Sequence, residues 1–174
     1  MAGRGASYHG PVIRLGTSIA DVSLRELGSQ DARQYYDLVN ANREHLSRHG
    51  DYTAEQDATP EALVAYFSCP SDSNLRLGIW HSTTLVGRVD LVPVNPPRYS
   101  IGYWLGSSYT GRGFATAACA AAIGYARDVL GATDIYAGIT HGNERSMAIA
   151  RRLGFTQVAD FDTYTRFHLP LTHL

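Results

Sequence analysis

Two stretches of this 174-residue chain carry residue types at spacings suited to chemistry. The first is Tyr109-Thr110-Gly111-Arg112-Gly113-Phe114-Ala115-Thr116, which follows the strand-like run Ser100-Ile101-Gly102-Tyr103-Trp104-Leu105 and opens an alanine-rich segment. A glycine-rich turn between strand and helix leaves backbone N–H groups unpaired at the positive end of the helix dipole, an arrangement that receives phosphate. The second is Asn143-Glu144-Arg145-Ser146, where Asn143 and Ser146 lie three apart on a predicted helix and share a face.

The residues themselves limit which phosphate ligand fits the turn. A nucleotide P-loop needs a lysine to reach the terminal phosphates, and all 15 basic residues here are arginines, so that reading fails. Codon bias in a GC-rich genome is the plain explanation of the missing lysines; avoidance of self-modification by a lysine-reactive activity is the functional one. A dinucleotide fold needs G-x-G-x-x-G and a ribose-binding acid about 20 residues on. Gly111-Arg112-Gly113 supplies half of that pattern, after a long antiparallel prelude. A plain tight turn, with glycines for positive φ, stays open on the turn alone.

The elements that must position these residues follow from periodicity and punctuation. Residues 1–11 read as a loose N-terminus and 12–174 as one domain, with a short extra strand within 12–20. A strand is expected over 22–27, then a helix to about residue 40 capped by Ser29 or Asp31, and a short second helix over 42–49. Thr59 and Pro60 mark another helix start, as N-cap and first helical residue. Strands over 75–81 and 85–94 flank a hairpin-like break at 82–84, and a third spans 99–105. A helix over 113–130 ends at Gly131, a strand covers 134–140, a helix over 143–153 ends at Gly154, and strands over 157–160 and 163–169 close the chain. The fold class is α+β: a mostly antiparallel mixed sheet with one central β-loop-α-β crossover, whose flanking strands must be parallel, set among helices.

Composition narrows the function classes. Hydrophobic residues at 44%, charged residues at 18% and a net charge of −1 describe a globular protein without the basic field that holds nucleic acid. No run approaches a membrane span, and no signal-peptide core opens the chain, so a cytoplasmic setting is expected. Cys69 and Cys119 form no disulfide framework and lack metal-site spacing, so no metal is expected.

Four segments, in order, resemble the GCN5-related N-acetyltransferases (GNAT), in their RimJ/RimL-like branch. Residues 110–115 resemble the family's Q/R-x-x-G-x-G/A acetyl-CoA pyrophosphate loop, with Thr110 in the Gln/Arg place, Gly113 as its glycine and Ala115 in the last position. Asn143, Ser146 and Leu153-Gly154-Phe155 resemble its N-x-x-S…LGF segment, Ile101-Gly102-Tyr103-Trp104-Leu105 the strand before the loop, and Asn42-Arg43-Glu44-His45-Leu46 the branch's N-R-x-H-L. Together they cover roughly residues 21–170.

The resemblance implies a GNAT fold and an acetyl group passed directly from acetyl-CoA to a primary amine, with a protein N-terminal α-amine or a small-molecule amine as acceptor. It implies that Tyr103, Trp104, Leu105, Gly111, Arg112, Gly113, Phe114, Ala115, Thr116, Asn143 and Ser146 bind the donor. Ser146 would assist the leaving thiolate, Asn143 would orient CoA and the backbone N–H of Leu105 or its neighbour would polarise the thioester carbonyl. The general base is unassigned: relatives often carry a glutamate where this chain has Ser100 or Ala117. Glu44, His45 and Asp90 are the candidates on the substrate side, with His81 and His141 as further bases, and a base acting through water needs none of them. Two alternatives stay open, a non-catalytic acyl-CoA-binding sensor or interaction module, and an antibiotic-resistance acetyltransferase to which the acidic run Asp51, Glu55 and Asp57 would suit a cationic acceptor. A homodimer is compatible with either reading.

Overall fold

The computed structural model describes residues 11–69 and 73–171. All but the last residue of the expected loose N-terminus lie outside that range. Eight strands form one sheet in the order β1-β2-β3-β4-β5-β6-β8-β7: β1 Arg14–Gly16, β2 Val22–Glu26, β3 Leu75–His81, β4 Thr84–Pro93, β5 Arg98–Leu105, β6 Asp134–Thr140, β7 Thr156–Asp160 and β8 Tyr164–Pro170. Every neighbouring pair is antiparallel except β5 and β6, which are parallel and joined through helix α5, Phe114–Asp128. The crossover expected from the sequence is therefore present at the expected place. Helices α1 Ala32–Ala41, α2 Arg43–Ser47, α3 Thr53–Asp57 and α4 Pro60–Ser68 come between β2 and β3, and α6 Glu144–Arg152 lies between β6 and β7.

The sheet divides two apolar cores. One lies under α5 and α6 and holds Leu24, Leu77, Val89, Leu91, Ile135 and Phe167 among its most buried members. Alanines let α5 approach the sheet closely: Ala118, Ala122 and Ala126 have no exposed surface. The other lies under α1–α4, where Tyr35 meets Phe67 and Trp104 edge-on at ring-centroid distances of 5.3 and 5.9 Å. Local signals act as expected at several termini. Thr59 accepts the Ala62 N–H at 3.1 Å ahead of Pro60, and Gly131 and Gly154 take φ of +67° and +92° just past α5 and α6. Asp31 behaves differently from a simple cap. It precedes α1, but its buried carboxylate takes the Arg25 guanidinium at 2.8 and 2.9 Å and the Gly28 N–H at 2.9 Å, tying the helix to β2 instead. Helix α3 was not expected, because its five residues show no apolar period. Among the described residues no helix is long and apolar enough to cross a membrane.

The parallel pair is short. Its register runs only through Arg98–Asp134, Tyr99–Ile135 and Ser100–Tyr136, after which β5 and β6 diverge. On its other side β5 stays fully paired with β4 from Tyr99 to Leu105. That pairing depends on Gly87, since a Cβ there would run into the Trp104 carbonyl oxygen and press on Leu105. Gly87→Ala should lose about 2–3 kcal/mol of stability in urea denaturation, the range for overpacking a tight site. Gly102→Ala, whose Cβ meets nothing within 4 Å, should stay within about 0.5 kcal/mol of wild type.

Candidate active site

The loop after β5 is shaped by two glycines, Gly111 at φ +76°, with open space where its Cβ would be, and Gly113 at φ +79°, whose Cβ would make ordinary contact with Ile19. Left-handed backbone of this kind costs other residues about 1–2 kcal/mol. Gly113 is the N-cap of α5 and supplies no side chain to cap it. The first bond of the following turn runs from Ala117 N–H to Gly113 O at 3.0 Å, so the N–H groups of Phe114, Ala115 and Thr116 have no partner in the helix. A cleft of about 740 Å³ opens over this terminus and runs along β5 to α6. Three guanidinium-bearing residues line it: Arg48, Arg145 and Arg152. Arg152 also donates to Thr116 Oγ1 at 3.3 Å. Three arginines, one of them paired with Glu44, and the carboxylate of Glu144 thus line one cleft of a chain whose net charge is −1.

Divergence of β5 from β6 leaves main-chain groups free at the inner end of the cleft. Gly106 N–H donates to Val86 O at 2.8 Å, which makes Leu105 and Gly87 a non-hydrogen-bonded pair of the antiparallel ladder. The N–H and C=O of Leu105 therefore point away from β4; the carbonyl oxygen is met by His45 Nε2 at 3.1 Å, and the N–H faces the gap. Beside them Tyr103 donates its hydroxyl proton to Ser146 Oγ at 2.9 Å. Burial pushes the Tyr103 phenol above its ordinary range, so it keeps its proton. Ser146 accepts that bond and retains its own O–H to donate. Asn143 is the N-cap of α6, its Oδ1 accepting the Ser146 N–H at 3.2 Å, and so fixes the turn that presents the serine. A second cavity of about 130 Å³ continues past this pair into the gap, lined by Gly102 and Gly138, by Ala137 and Ile139, and by Cys119, whose thiol burial pushes up to about 12.

Of the residues singled out in the sequence, Tyr103, Trp104, Leu105, Gly111, Gly113, Phe114, Ala115, Thr116, Asn143, Ser146 and His45 line this cleft. Arg112 is exposed at the loop, its guanidinium 5.6 Å from the Tyr109 ring centre. Glu44 pairs with Arg48 at 3.1 Å on the outer side of α2. Asp90 takes two bonds from buried Arg88, at 2.6 and 2.9 Å, under α1 and α3, where Glu55 also approaches Arg88 at 3.8 Å. His81 packs against Phe114, and His141 sits 2.9 Å from Asp160. The carboxylate that does line the cleft is Glu144, exposed in the first turn of α6. Sequence reading missed Arg145 and Arg152, although their positions with Ile149 form an i, i+4, i+7 face. No group of three or more His, Cys, Asp or Glu among the described residues is placed to hold a metal ion.

A family model, the acetyltransferase (GNAT) domain, matches residues 21–156, most of the chain. The chain belongs to the GNAT acetyltransferase family. It is 26% identical over 143 residues to the Bacillus subtilis (strain 168) protein named "Putative ribosomal N-acetyltransferase YdaF", covering 78% of each. Its fold is similar to that of RimL, a ribosomal L7/L12 α-N-protein acetyltransferase solved with coenzyme A, with a TM-score of 0.79 at 18% identity over 90% of this chain and 98% of that one. The microcin C7 self-immunity acetyltransferase MccE, solved with acetyl-CoA and AMP, has a TM-score of 0.74 at 21% identity, covering 87% and 93%.

This GNAT chain is an acetyltransferase that uses acetyl-CoA, and its residues fit that donor. The uncapped terminus and arginine-lined cleft suit phosphates, the outward Leu105 N–H suits a carbonyl acceptor, and Ser146 with its free proton lies where the two strands part. Acetyl-CoA supplies an activated acyl group with a thiolate leaving group.

Burial also sets a pH limit on this architecture. Tyr52 is pushed up to about 12, and Tyr35 and Tyr103 rise as well, each chiefly by burial. The unfolded chain releases these protons from about pH 10 while the folded chain holds them, so stability is unaffected below pH 10 and falls as pH climbs above it. Urea denaturation between pH 8 and 11.5 should show that fall, and Tyr103→Phe should reduce its slope by up to one proton. An unchanged slope in Tyr103→Phe would contradict the burial assigned to this phenol.

Proposed function

We propose that this acetyltransferase modifies an amine of low basicity, of which a protein N-terminal α-amine is the best fit. The observation that supports this most is the scarcity of carboxylates at the reacting end. Around the two cavities only Glu144 contributes one among the described residues, and it is exposed at the helix start. An α-amine titrates near 8 and a lysine side chain near 10.4. At pH 7.5 roughly a quarter of the first is already neutral, against roughly one part in a thousand of the second. A cleft with a weak base serves the first far better. YdaF and RimL, named for ribosomal and N-terminal acetylation, agree with this acceptor class.

In this reading the acetyl carbonyl oxygen is met by the Leu105 N–H, which is preorganised in the gap and costs no rearrangement as charge develops. The neutral amine attacks the carbonyl carbon, and the C–S bond breaks. The attacking nitrogen sheds its surplus proton to water, Ser146 donates its proton to the departing sulfur and is reprotonated from water, and Tyr103, still protonated, supports the serine oxygen throughout. Asn143 positions Ser146 through the helix cap. Gly111 and Gly113 let the backbone approach the pyrophosphate, and Arg145 and Arg152 add charge. A cytoplasmic setting suits the two free thiols, Cys69 and Cys119.

The test is the pH–rate profile on two peptides with one free amine each, an N-terminal α-amine or a lysine side chain. The α-amine peptide should be acetylated about 100-fold faster at pH 7.5, with kcat/KM levelling near pH 8, and Ser146→Ala should lower kcat on it by about 100-fold. Faster acetylation of the lysine peptide would overturn the reading.

A further inference from the structure

Residues 42–49 bridge the two strands where their pairing fails. Asn42 is buried, and both ends of its amide are engaged: Nδ2 donates to Leu38 O at 2.8 Å, and Oδ1 accepts the Ser107 N–H at 2.8 Å. One turn later His45 Nε2 lies 3.1 Å from Leu105 O. A carbonyl only accepts, so Nε2 carries the proton in this contact. Beyond the end of α2 the His49 carbonyl accepts from Thr140 Oγ1 of β6 at 3.2 Å. Arg43 anchors the same segment to α3 through the Gln56 carbonyl and to α1 through Asn40 Oδ1. The segment is thus bonded to β5 and its loop at 105 and 107 and to β6 at 140, both beyond the last ladder pair, Ser100–Tyr136.

We infer that Asn42 and His45 are positioning residues for the acyl donor. They fix the peptide units at 105 and 107 so that the outward main chain of Leu105 and the start of the glycine loop are set before acetyl-CoA arrives. This inference rests on the acetyl-CoA reading. It gives His45 a role different from that of a proton acceptor. What the contact needs is an N–H at the position of Nε2, which a glutamine amide also supplies. What Asn42 gives the loop is an acceptor at Oδ1, held in place by the bond from Nδ2 to Leu38 O. Two side chains three apart on one helical turn thereby hold two groups two residues apart on the strand exit, and the loop loses freedom that donor binding would otherwise have to remove.

Calorimetric titration with acetyl-CoA, free of any acceptor, tests this directly. His45→Ala should weaken binding about 10-fold, and His45→Gln should restore it to within about threefold of wild type. Asn42→Ala should weaken binding similarly, and amide exchange at Ser107 should quicken in Asn42→Ala alone, which separates loss of the clamp from loss of the fold. Wild-type affinity in both His45→Ala and Asn42→Ala would overturn the inference, as would His45→Gln binding as weakly as His45→Ala. A wild type that bound no acetyl-CoA would overturn the donor reading itself, and the inference with it.

Discussion

Three residue pairs of parallel ladder hold β5 against β6, and everything at the site follows from where that ladder stops. A sheet interior normally leaves no main-chain polar group free, because a buried unpaired N–H or C=O is costly. Here β5 continues for five residues beyond Ser100 with β4 on one side and no strand on the other. The unpaired groups of that stretch face a cleft and not a packed core. The gap is therefore a structural deficit, and in the proposed reading an extended, amide-bearing donor arm would repair it in the way a further strand does.

The two faces of the sheet divide the work around this gap. On one, the alanine-rich α5 packs down so closely that its start reaches the end of β5, bringing an uncapped helix terminus, Ser146 and Tyr103 to one cleft. On the other, α1–α4 stand over a core that contains a buried cluster of charge, in which Arg88 is held by Asp90, Tyr35 and Glu55. That cluster satisfies Arg88 internally and contributes no lining residue to the cleft. In the proposed reading the electrostatic work on the donor side falls instead to the helix terminus and the arginines of α6.

Legibility in the sequence tracked the range of the interactions. Glycines at 111, 113, 131 and 154 and the pair Thr59–Pro60 act within a few residues of themselves, and each sits where the sequence placed it. The crossover was readable because strand, glycine turn, helix and strand must close right-handed. Asn42-Arg43-Glu44-His45-Leu46 was legible as a motif but not in its contacts, because its partners at 105 and 107 lie about sixty residues away and are main-chain atoms with no side-chain signature. The acidic run at 51–57 read as a patch suited to a cationic acceptor. In the fold Asp51 caps a turn at Thr53 and Glu55 turns inward toward Arg88, a difference set by α3, too short to show a period. Asn143 carries both a motif position and an ordinary helix cap, and the cap is how it reaches Ser146.

The central claim is that one continuous surface, from the Leu105 main chain to the first turn of α5, receives the donor. Titrating the isotopically labelled protein with coenzyme A and following each backbone amide tests it most directly. The largest changes should fall on Leu105, Phe114, Ala115 and Thr116, with Ser146 following and the edge strand β1 around Arg14 unmoved. Changes concentrated at that edge strand, or a Leu105 amide that does not respond while the loop does, would contradict the account.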